Sequence, residues 1–302
     1  MARQPVVAQR AEELLGSAVV ATAPVAGGDV ATAVKLRLSS GRTAFLKTLT
    51  SAPPGLFERE AAGLAWLAET TPAGGVVTPE VLAVDHDCLI LAWVESGRPS
   101  SEAATAFGRS LARTHAAGAP CFGVDETLFG GFTGGGAPRV DGYIGRLPLL
   151  NRTLPSWPEF YAERRIAPYV KVLRDKEMLS AEDAATIDTV VGRGPSIVPD
   201  EPPARLHGDL WNGNVLWAGE DRAVVIDPAS YGGHREVDLA MLALFGLPQL
   251  PQVMSAYQEV APLAEDWEDR LAFHQLFPLL VHACLFGGQY GARAARLAAR
   301  YL

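Results

Sequence analysis

Residues 206–240 read LHGDLWNGNVLWAGEDRAVVIDPASYGGHREVDLA and combine polar residues at fixed spacings with a short apolar run. Asp209 is followed five residues later by Asn214 and eighteen residues later by Asp227. The run Ala-Val-Val-Ile at 223–226 is typical of a buried strand that delivers a carboxylate at its end. Asp, Asn and Gly are also ordinary turn formers, so each position alone carries little weight. The combined spacing makes the segment informative.

The three polar positions match the requirements of phosphoryl transfer. That reaction needs a carboxylate that orients the attacking hydroxyl group and accepts its proton. It also needs an amide oxygen and a second carboxylate that hold Mg²⁺ on the phosphates. In this interpretation Asp209 is the catalytic base, and Asn214 and Asp227 are the metal ligands. The sequence thus predicts an ATP-dependent kinase with ATP and Mg²⁺ as cofactors.

The segment resembles the signature of the fructosamine kinases, also called ketosamine-3-kinases, in HGDLWNGN at 207–214, DPA at 227–229 and GHREVDLA at 233–240. Aminoglycoside phosphotransferases and choline kinases share the HGD, the Asn and the later Asp. They do not generally share the Trp or the last block. Weaker matches extend the resemblance over nearly the whole chain, namely FLK at 45–47, FEREAAGL at 57–64, and WPEFY at 157–161 with Arg164 and Arg165.

The resemblance implies an α+β, bilobal protein-kinase-like fold. Residues 1–95 would form an N-terminal antiparallel sheet lobe with one main helix that clamps ATP. Residues 96–302 would form a larger, mainly α-helical catalytic and substrate lobe. The implied reaction phosphorylates the 3-hydroxyl group on the sugar of ketosamines such as glycated lysine, small or protein-bound, and leads to deglycation. The alternatives are a small-molecule kinase of the aminoglycoside or choline type, or a non-catalytic pseudokinase that serves as a binding module.

The first lobe is predicted from β-rich runs and one amphipathic helix. Lys47 falls in the third strand, and the helix over 56–69 follows it. A strand lysine paired with a helix glutamate orients phosphates in kinases. The resemblance assigns that role to Glu60, with Glu58 as the competing carboxylate. The strands are expected at 19–25, 31–38, 43–49, 79–84 and 88–93.

Two further segments are expected to contact the nucleotide. Gly27 and Gly28 stand where kinases carry a glycine loop over the phosphates, although a plain hairpin turn explains the pair equally well. A connector of small residues begins after the last strand of the lobe. Its backbone, at Trp93, Val94 and Glu95, would bond the adenine ring.

The substrate candidates flank the predicted base. Trp211 stands where protein kinases usually carry Lys, and its flat ring suits stacking on a sugar, with core packing as the alternative. His234 and Glu236 follow a Gly-Gly turn, and Glu236 could hold a substrate ammonium group or pair with Arg235. The loop over 130–136 is either a lid on the substrate side or a plain surface loop.

The supporting residues are a histidine and a helix carboxylate. His207 is expected as a neutral imidazole bonded to loop backbone. Asp238 would accept bonds from the backbone or from His207 and keep the loop rigid, unless it is simply a carboxylate favoured by a helix N-terminus. His115 is expected to be a core or capping histidine.

The composition is that of an ordinary globular protein. The chain of 302 residues is long enough for two lobes. Its residues are 48% hydrophobic and 20% charged, a balance that argues against disorder. A net charge of −8 argues against a nucleic-acid partner. Three distant cysteines without a CxxC pair exclude a zinc motif and predict a reducing compartment. No signal peptide or membrane-spanning run is expected, so the protein is predicted to be soluble and cytoplasmic, with its oligomeric state left open.

Overall fold

The N-terminal part forms a five-stranded antiparallel sheet in the computed structural model, which describes residues 6–26, 31–129 and 140–302. The strand order is β1-β2-β3-β5-β4. A first helix, which the sequence did not predict, precedes the sheet, and a second follows β3. The elements are α1 (Val6–Leu15), β1 (Val19–Pro24), β2 (Thr32–Leu38), β3 (Thr43–Thr48), α2 (Leu56–Ala68), β4 (Val81–Asp85) and β5 (Cys88–Ala92).

The two faces of this sheet pack against different helices. Leu46 belongs to the core shared with α1, whereas Phe57 and Leu64 of α2 pack on the opposite face with Leu89. Because successive side chains of a strand alternate between faces, Lys47 points to the side of α2. This alternation settles which way Lys47 faces and places it opposite the polar residues of that helix.

A connector without helix or strand covers residues 93–100. The predicted boundary between residues 95 and 96 falls inside it. Helix α3 (Ser101–Ala116) follows, and Ser100 caps it by accepting a hydrogen bond from the amide of Ala103 at 2.9 Å. The connector therefore separates the sheet from the helical remainder of the chain.

The remainder is mainly helical, with three short two-stranded sheets. The strand pairs are β6 (Gly142–Ile144) with β7 (Leu147–Leu149), β8 (Ala204–Leu206) with β11 (Tyr231–Gly233), and β9 (Val215–Ala218) with β10 (Arg222–Val225). Three α-helices follow Pro262. The helices are α4 (Trp157–Phe160), α5 (Ala167–Asp175), α6 (Ala181–Gly192), α7 (Gly194–Ile197), α8 (Glu236–Leu244), α9 (Leu250–Val260), α10 (Trp267–His274), α11 (Leu276–Phe286) and α12 (Tyr290–Ala298).

Two local features of the helical part bear on the site. A π-helical segment, Tyr161–Ile166, joins α4 to α5, and Ser156 caps α4 through its hydroxyl group and Glu159. The short β9–β10 hairpin carries the apolar run that leads to Asp227. Within the described ranges, none of the helices has the length and apolar character needed to cross a bilayer.

Candidate active site

A cavity of ≈ 540 Å³ lies between the sheet and the helical part of the chain. Its walls come from β3, α2, the connector, β6 and the loops that follow β8 and β10. Most of the polar candidates from the sequence meet there. The lining includes Lys47, Glu60, Trp93, Val94, Asp209, Trp211, Asn214 and Asp227.

Lys47 is bonded to two carboxylates from different parts of the chain. Its Nζ atom lies 2.8 Å from Glu60 Oε2 and 3.1 Å from Asp227 Oδ2. Burial opposes the charged amine, but the two carboxylates outweigh it and raise the pKa of Lys47 above its usual value. Burial also raises the pKa of Glu60, to about 7, against the pull of Lys47. The lysine therefore stays cationic in the cavity, and its position is fixed from two sides.

Asp209 and Asn214 are held together in the loop after β8. The Asn214 Nδ2 atom donates to the Asp209 backbone oxygen at 2.8 Å and to its Oδ2 atom at 3.2 Å. Because the amide nitrogen faces Asp209, the amide oxygen of Asn214 faces away from it. Burial, and then the nearby charge of Asp227, raise the pKa of Asp209 to about 7. A carboxylate of that kind exchanges protons readily at neutral pH.

The loop that carries Asp209 is anchored by a buried carboxylate from α8. Asp238 Oδ2 accepts from the amide of His207 at 2.8 Å, and Oδ1 accepts from the amide of Gly208 at 3.0 Å. Its Oδ2 atom also lies 3.2 Å from Nε2 of His115, a buried core residue. Gly208 has φ +84, and a Cβ atom there would meet the backbone oxygen of Ala229 at 2.2 Å. Asp238 is therefore more than a carboxylate favoured by its place near a helix N-terminus, because it holds the backbone of this loop.

His207 is a neutral structural residue in this arrangement. Its Nε2 atom donates to the carbonyl of Ile226 at 2.9 Å, so Nδ1 is free to accept from the amide of Asp209 at 3.3 Å. Burial lowers the pKa of His207. One imidazole therefore links the loop that bears Asp209 to Ile226, the residue before Asp227. Asp227 itself adopts a left-handed φ of 54.

Trp211 lies at the cavity wall with 36% of its surface exposed. Its ring makes an edge contact with Phe245 at a centroid distance of 6.1 Å. Gly213 leaves room for it, because a Cβ atom there would lie 2.4 Å from the indole. A core tryptophan such as Trp217 is 6% exposed by comparison. Trp211 is therefore not a fully buried core residue, and its stacking on a sugar stays a prediction.

Only some residues of the connector line the cavity. Trp93 and Val94 line it, but Glu95 does not. The Glu95 side chain is 81% exposed and accepts a hydrogen bond from Trp93 Nε1 at 2.6 Å. A contact between the Glu95 backbone and adenine stays a prediction. Gly27 and Gly28, and the loop over 130–136, lie outside the residues that the structure describes.

The interpretation of His234 and Glu236 as substrate residues is corrected by the structure. Both are fully buried, and neither lines the cavity. Glu236 bonds Arg270, with Oε1 2.7 Å from Nη2, instead of pairing with Arg235. His234 stacks on His274 with ring centroids 5.1 Å apart. Arg235 pairs with Glu201 at 2.7 Å. The cluster joins α8 to α10 away from the cavity, and the charge of Glu236 is already paired with that of Arg270.

Several cavity residues were missed by the sequence prediction. They have no motif of their own, although Arg59 stands directly before Glu60 in FERE. The others come from β6, from the residue two positions after β7 and from α11, which only the fold brings to the cavity. The missed residues are Arg59, Gly142, Tyr143, Asn151, His282 and Phe286.

The site residues fit a divalent cation. Asp209 and Asp227 face the same cavity, and their mutual repulsion contributes to the raised pKa of Asp209. A bound cation would relieve that repulsion, and oxygen ligands from Asp and Asn are those that Mg²⁺ prefers. Asp227 and the amide oxygen of Asn214 are the residues that would hold it.

Comparison with known proteins finds relatives along nearly the whole chain. Residues 4–302 match the family model described as fructosamine kinase. A probable ketoamine kinase of Thermus thermophilus is 35% identical over 275 residues, which cover 88% of each chain. The chloroplastic protein-ribulosamine 3-kinase of Arabidopsis thaliana is 31% identical over 284 residues, or 92% of this chain and 81% of that protein.

Solved structures of other proteins share the fold of this chain. A Thermobifida fusca protein, provisionally named a fructosamine-3-kinase, has a TM-score of 0.87 and 46% identity, and the match covers 98% of this chain and 99% of that one. A type I macrolide 2′-phosphotransferase, at 19% identity and TM-score 0.64 over 98% and 94% of the two chains, shares the fold alone. The predicted protein-kinase-like fold is therefore confirmed.

Proposed function

Because the chain belongs to the fructosamine kinase family, we propose that it transfers the γ-phosphoryl group of ATP to the 3-hydroxyl group of a ketosamine. The acceptor is a glycated amine such as glycated lysine, and breakdown of the 3-phosphate results in deglycation. The observation that carries the proposal is one cavity that holds Asp209 beside Asn214 and the Lys47–Glu60 pair beside Asp227. Such a set supplies a base, a metal site and a phosphate-binding cation.

In the proposed reaction, Asp209 accepts a hydrogen bond from the sugar hydroxyl group and orients its oxygen toward the γ-phosphorus. The new bond joins that oxygen to phosphorus while the bond from phosphorus to the leaving oxygen of ADP breaks. The hydroxyl proton passes to Asp209. Lys47 offsets phosphate charge, and Glu60 keeps it in place. General-base assistance of this kind contributes about 10²–10⁴ in rate.

We propose Mg²⁺ as the cation held by Asp227 and the amide oxygen of Asn214. When bound, it neutralises charge on the phosphates of ATP. The hydrogen bond from Asn214 to Asp209 fixes the direction of that amide. His207 and Asp238 then keep the base and the metal carboxylate in register, without touching the reactants.

Two lobes, divided near residue 95, would close on the nucleotide. The connector at 93–100 is the natural hinge, since it joins the sheet to α3 without helix or strand.

The protein also carries three unpaired cysteines. Free thiols support action in a reducing compartment such as the cytoplasm.

A turnover assay tests the proposed function. The protein is incubated with Mg-ATP and a panel of fructosamine and ribulosamine derivatives of lysine, with aminoglycosides and choline as the competing acceptors. ADP release and ³¹P NMR of the product identify the acceptor and the position of the phosphate. We expect turnover with ketosamines and phosphate on the 3-oxygen. Turnover confined to an aminoglycoside or choline, or none at all, would overturn the proposal.

A further inference from the structure

Arg59 is a cation of the cavity wall that the proposed phosphoryl transfer does not use. Among the described lining positions, the Lys and Arg residues are Lys47 and Arg59. Lys47 is paired with Glu60 and Asp227. Arg59 forms no ion pair within the described part of the chain. Its Nη2 atom donates to the backbone oxygen of Val140 at 3.2 Å. The adjoining segment 130–139, GGFTGGGAPR, contains no Asp or Glu.

The guanidinium group of Arg59 is held in place without forming an ion pair with a described residue. Its central carbon lies 4.2 Å from the centroid of the Phe129 ring. Burial lowers the pKa of Arg59 to about 10, against the opposing effect of Asp141, so the group is charged at neutral pH. The Asp141 carboxylate accepts from the backbone amide of Asn151 at 2.7 Å and keeps its charge, which partly offsets that of Arg59.

A second donor lies next to Arg59. The Asn151 side chain is 1% exposed, and its Oδ1 atom accepts from Arg165 Nη2 at 2.6 Å. A guanidinium group can only donate, so the amide oxygen must face Arg165 and the NH₂ group must point away from it. That buried Nδ2 atom has no hydrogen-bond partner among the described residues. A buried donor without a partner is costly unless a ligand satisfies it.

The two donors face a common space at Gly142. A Cβ atom built on Gly142 would lie 3.5 Å from Arg59 Nε and 3.5 Å from Asn151 Nδ2. Glycine leaves this space open, and all three residues line the cavity. A ligand oxygen in this space would be close to both donors at once.

We propose that Arg59 and Asn151 bind a carboxylate on the amine portion of the substrate, so that the enzyme favours ketosamines of free amino acids. The inference rests on the proposed function, which assigns the ATP phosphates to the region of Lys47 and the sugar hydroxyl group to Asp209. The amine portion is the part of the acceptor that remains. A guanidinium fork matches a carboxylate in charge and shape.

The test compares two acceptors that differ only in this group. The fructose-derived ketosamine of glycine carries a carboxylate, and the ketosamine of glycinamide does not. We expect the wild-type protein to prefer the carboxylate compound through a lower KM. Arg59→Gln should raise that KM about tenfold to a hundredfold, while the KM values for the amide and for ATP stay the same.

Gly142→Ala provides an independent variant, because it fills the space between the donors and keeps both side chains. Gly142 does not have a positive φ, so alanine fits its backbone. Gly192→Ala is the matched control, since a Cβ atom there has nothing within 4 Å. Arg109→Gln, at an exposed ion pair with Glu259, controls for loss of an arginine. Both controls should keep the preference.

The outcomes separate the subsite from the proposed function. Equal efficiency of the wild-type protein with both ketosamines overturns the subsite. An equal loss with both acceptors in Arg59→Gln means that Arg59 only joins α2 to Val140, and a rise in the KM for ATP alone assigns Arg59 to the nucleotide. If neither ketosamine is phosphorylated, the proposed function fails, and calorimetric titration of the same two compounds still tests the subsite. Tighter binding of the carboxylate compound supports it, and equal binding refutes it.

Discussion

The Nζ atom of Lys47 lies 3.1 Å from Oδ2 of Asp227, which ties a strand of the N-terminal sheet to the loop after β10. The same amine bonds Oε2 of Glu60, whose other oxygen is buried without a partner within the described ranges. One cation thus positions two carboxylates. Asp227 is directed into the cavity, and Lys47 partly offsets its charge.

This arrangement predicts that Asp227 carries the metal dependence of nucleotide binding. Asp227→Asn keeps the size of the side chain and tolerates the left-handed φ of 54. In the presence of Mg²⁺, we expect ATP affinity to fall about tenfold or more, because a ligand of the cation is weakened. With EDTA, the variant should bind ATP as well as the wild-type protein. Calorimetry under both conditions measures this, and an unchanged affinity with Mg²⁺ contradicts the assignment.

Asp209→Asn is predicted to lose turnover and keep nucleotide binding. The change removes the proton acceptor but retains a group that can bond Asn214. We expect kcat to fall about 10²–10⁴-fold with little change in the Kd for ATP. Asp221→Asn, in the exposed turn between β9 and β10, is the matched control and should behave as the wild-type protein. Near-normal kcat in Asp209→Asn would show that another group serves as the base.

The sequence was sufficient to predict the part of the site whose geometry depends on spacing along one loop. Asp209, Asn214 and Asp227 come together because a tight loop and one short hairpin join them, and the backbone of Ile226 bonds that of Asn214 at 3.1 Å. Local rules sufficed for that loop, since few alternative folds place these residues otherwise. The pairing of Lys47 with Glu60 was implied by the resemblance, because the pattern of the helix left Glu58 as a competing carboxylate.

The rest of the site depends on partners that are distant in sequence. Glu236 is buried because Arg270 on α10 pairs with it, and no pattern around Glu236 signals that partner. The convergence of Arg59 and Asn151 likewise needs the packing of α2 against β6. Helix α1 was missed because its buried positions are Ala8 and Ala11, which do not form a strong apolar stripe.

The corrected role of Glu236 predicts a stability effect without a substrate effect. Glu236→Gln leaves the guanidinium group of Arg270 buried without a charged partner from α8. Breaking a buried ion pair costs about 3–5 kcal/mol, so Tm should fall by several degrees. The KM for the ketosamine should not change in protein that remains folded. Differential scanning calorimetry and kinetics on one preparation measure both effects, and a raised KM with unchanged Tm would restore the substrate role.

His234 predicts a loss of stability in mild acid. Burial, and then the neighbouring His274, lower the pKa of His234 to about 3, whereas an unfolded histidine titrates near 6.5. Between these values the unfolded chain binds a proton that the folded protein does not. The free energy of unfolding therefore decreases as pH falls below about 6.5, by up to about 1.4 kcal/mol per pH unit from this residue.

Bonds to His274 and Arg270 outweigh burial and lower the pKa of Glu236 from 4.5 to about 2, so its titration overlaps that of His234 only below about pH 4.5. The contribution of Glu236 is present above the usual carboxyl pKa and is lost only as pH falls further toward 2. His234→Phe keeps a ring in the stack and removes the titrating group. Denaturant unfolding at pH 7, 6 and 5 should give a shallower decline for this variant than for the wild-type protein. Parallel declines would refute the assignment to His234.

Trp211 is predicted to act on the acceptor and not on the core. Its ring is partly exposed at the cavity wall near the loop of Asp209, so Trp211→Ala removes contact surface without leaving an interior void. The loss of one stacked aromatic contact costs about 1–2 kcal/mol, which is about ten- to thirtyfold in kcat/KM for the ketosamine. The KM for ATP should not change, and Tm should shift by little.

Trp217→Ala supplies the contrasting control. Trp217 is buried against Phe107, with ring centroids 6.2 Å apart, so its removal leaves a cavity and should cost about 3–5 kcal/mol of stability. Melting temperatures and Michaelis constants for both substrates, measured on the two variants, separate the roles. A large drop in Tm for Trp211→Ala, with both Michaelis constants affected together, would mean that its ring supports the fold. A stable variant with unaltered ketosamine kinetics would mean that the sugar does not contact it.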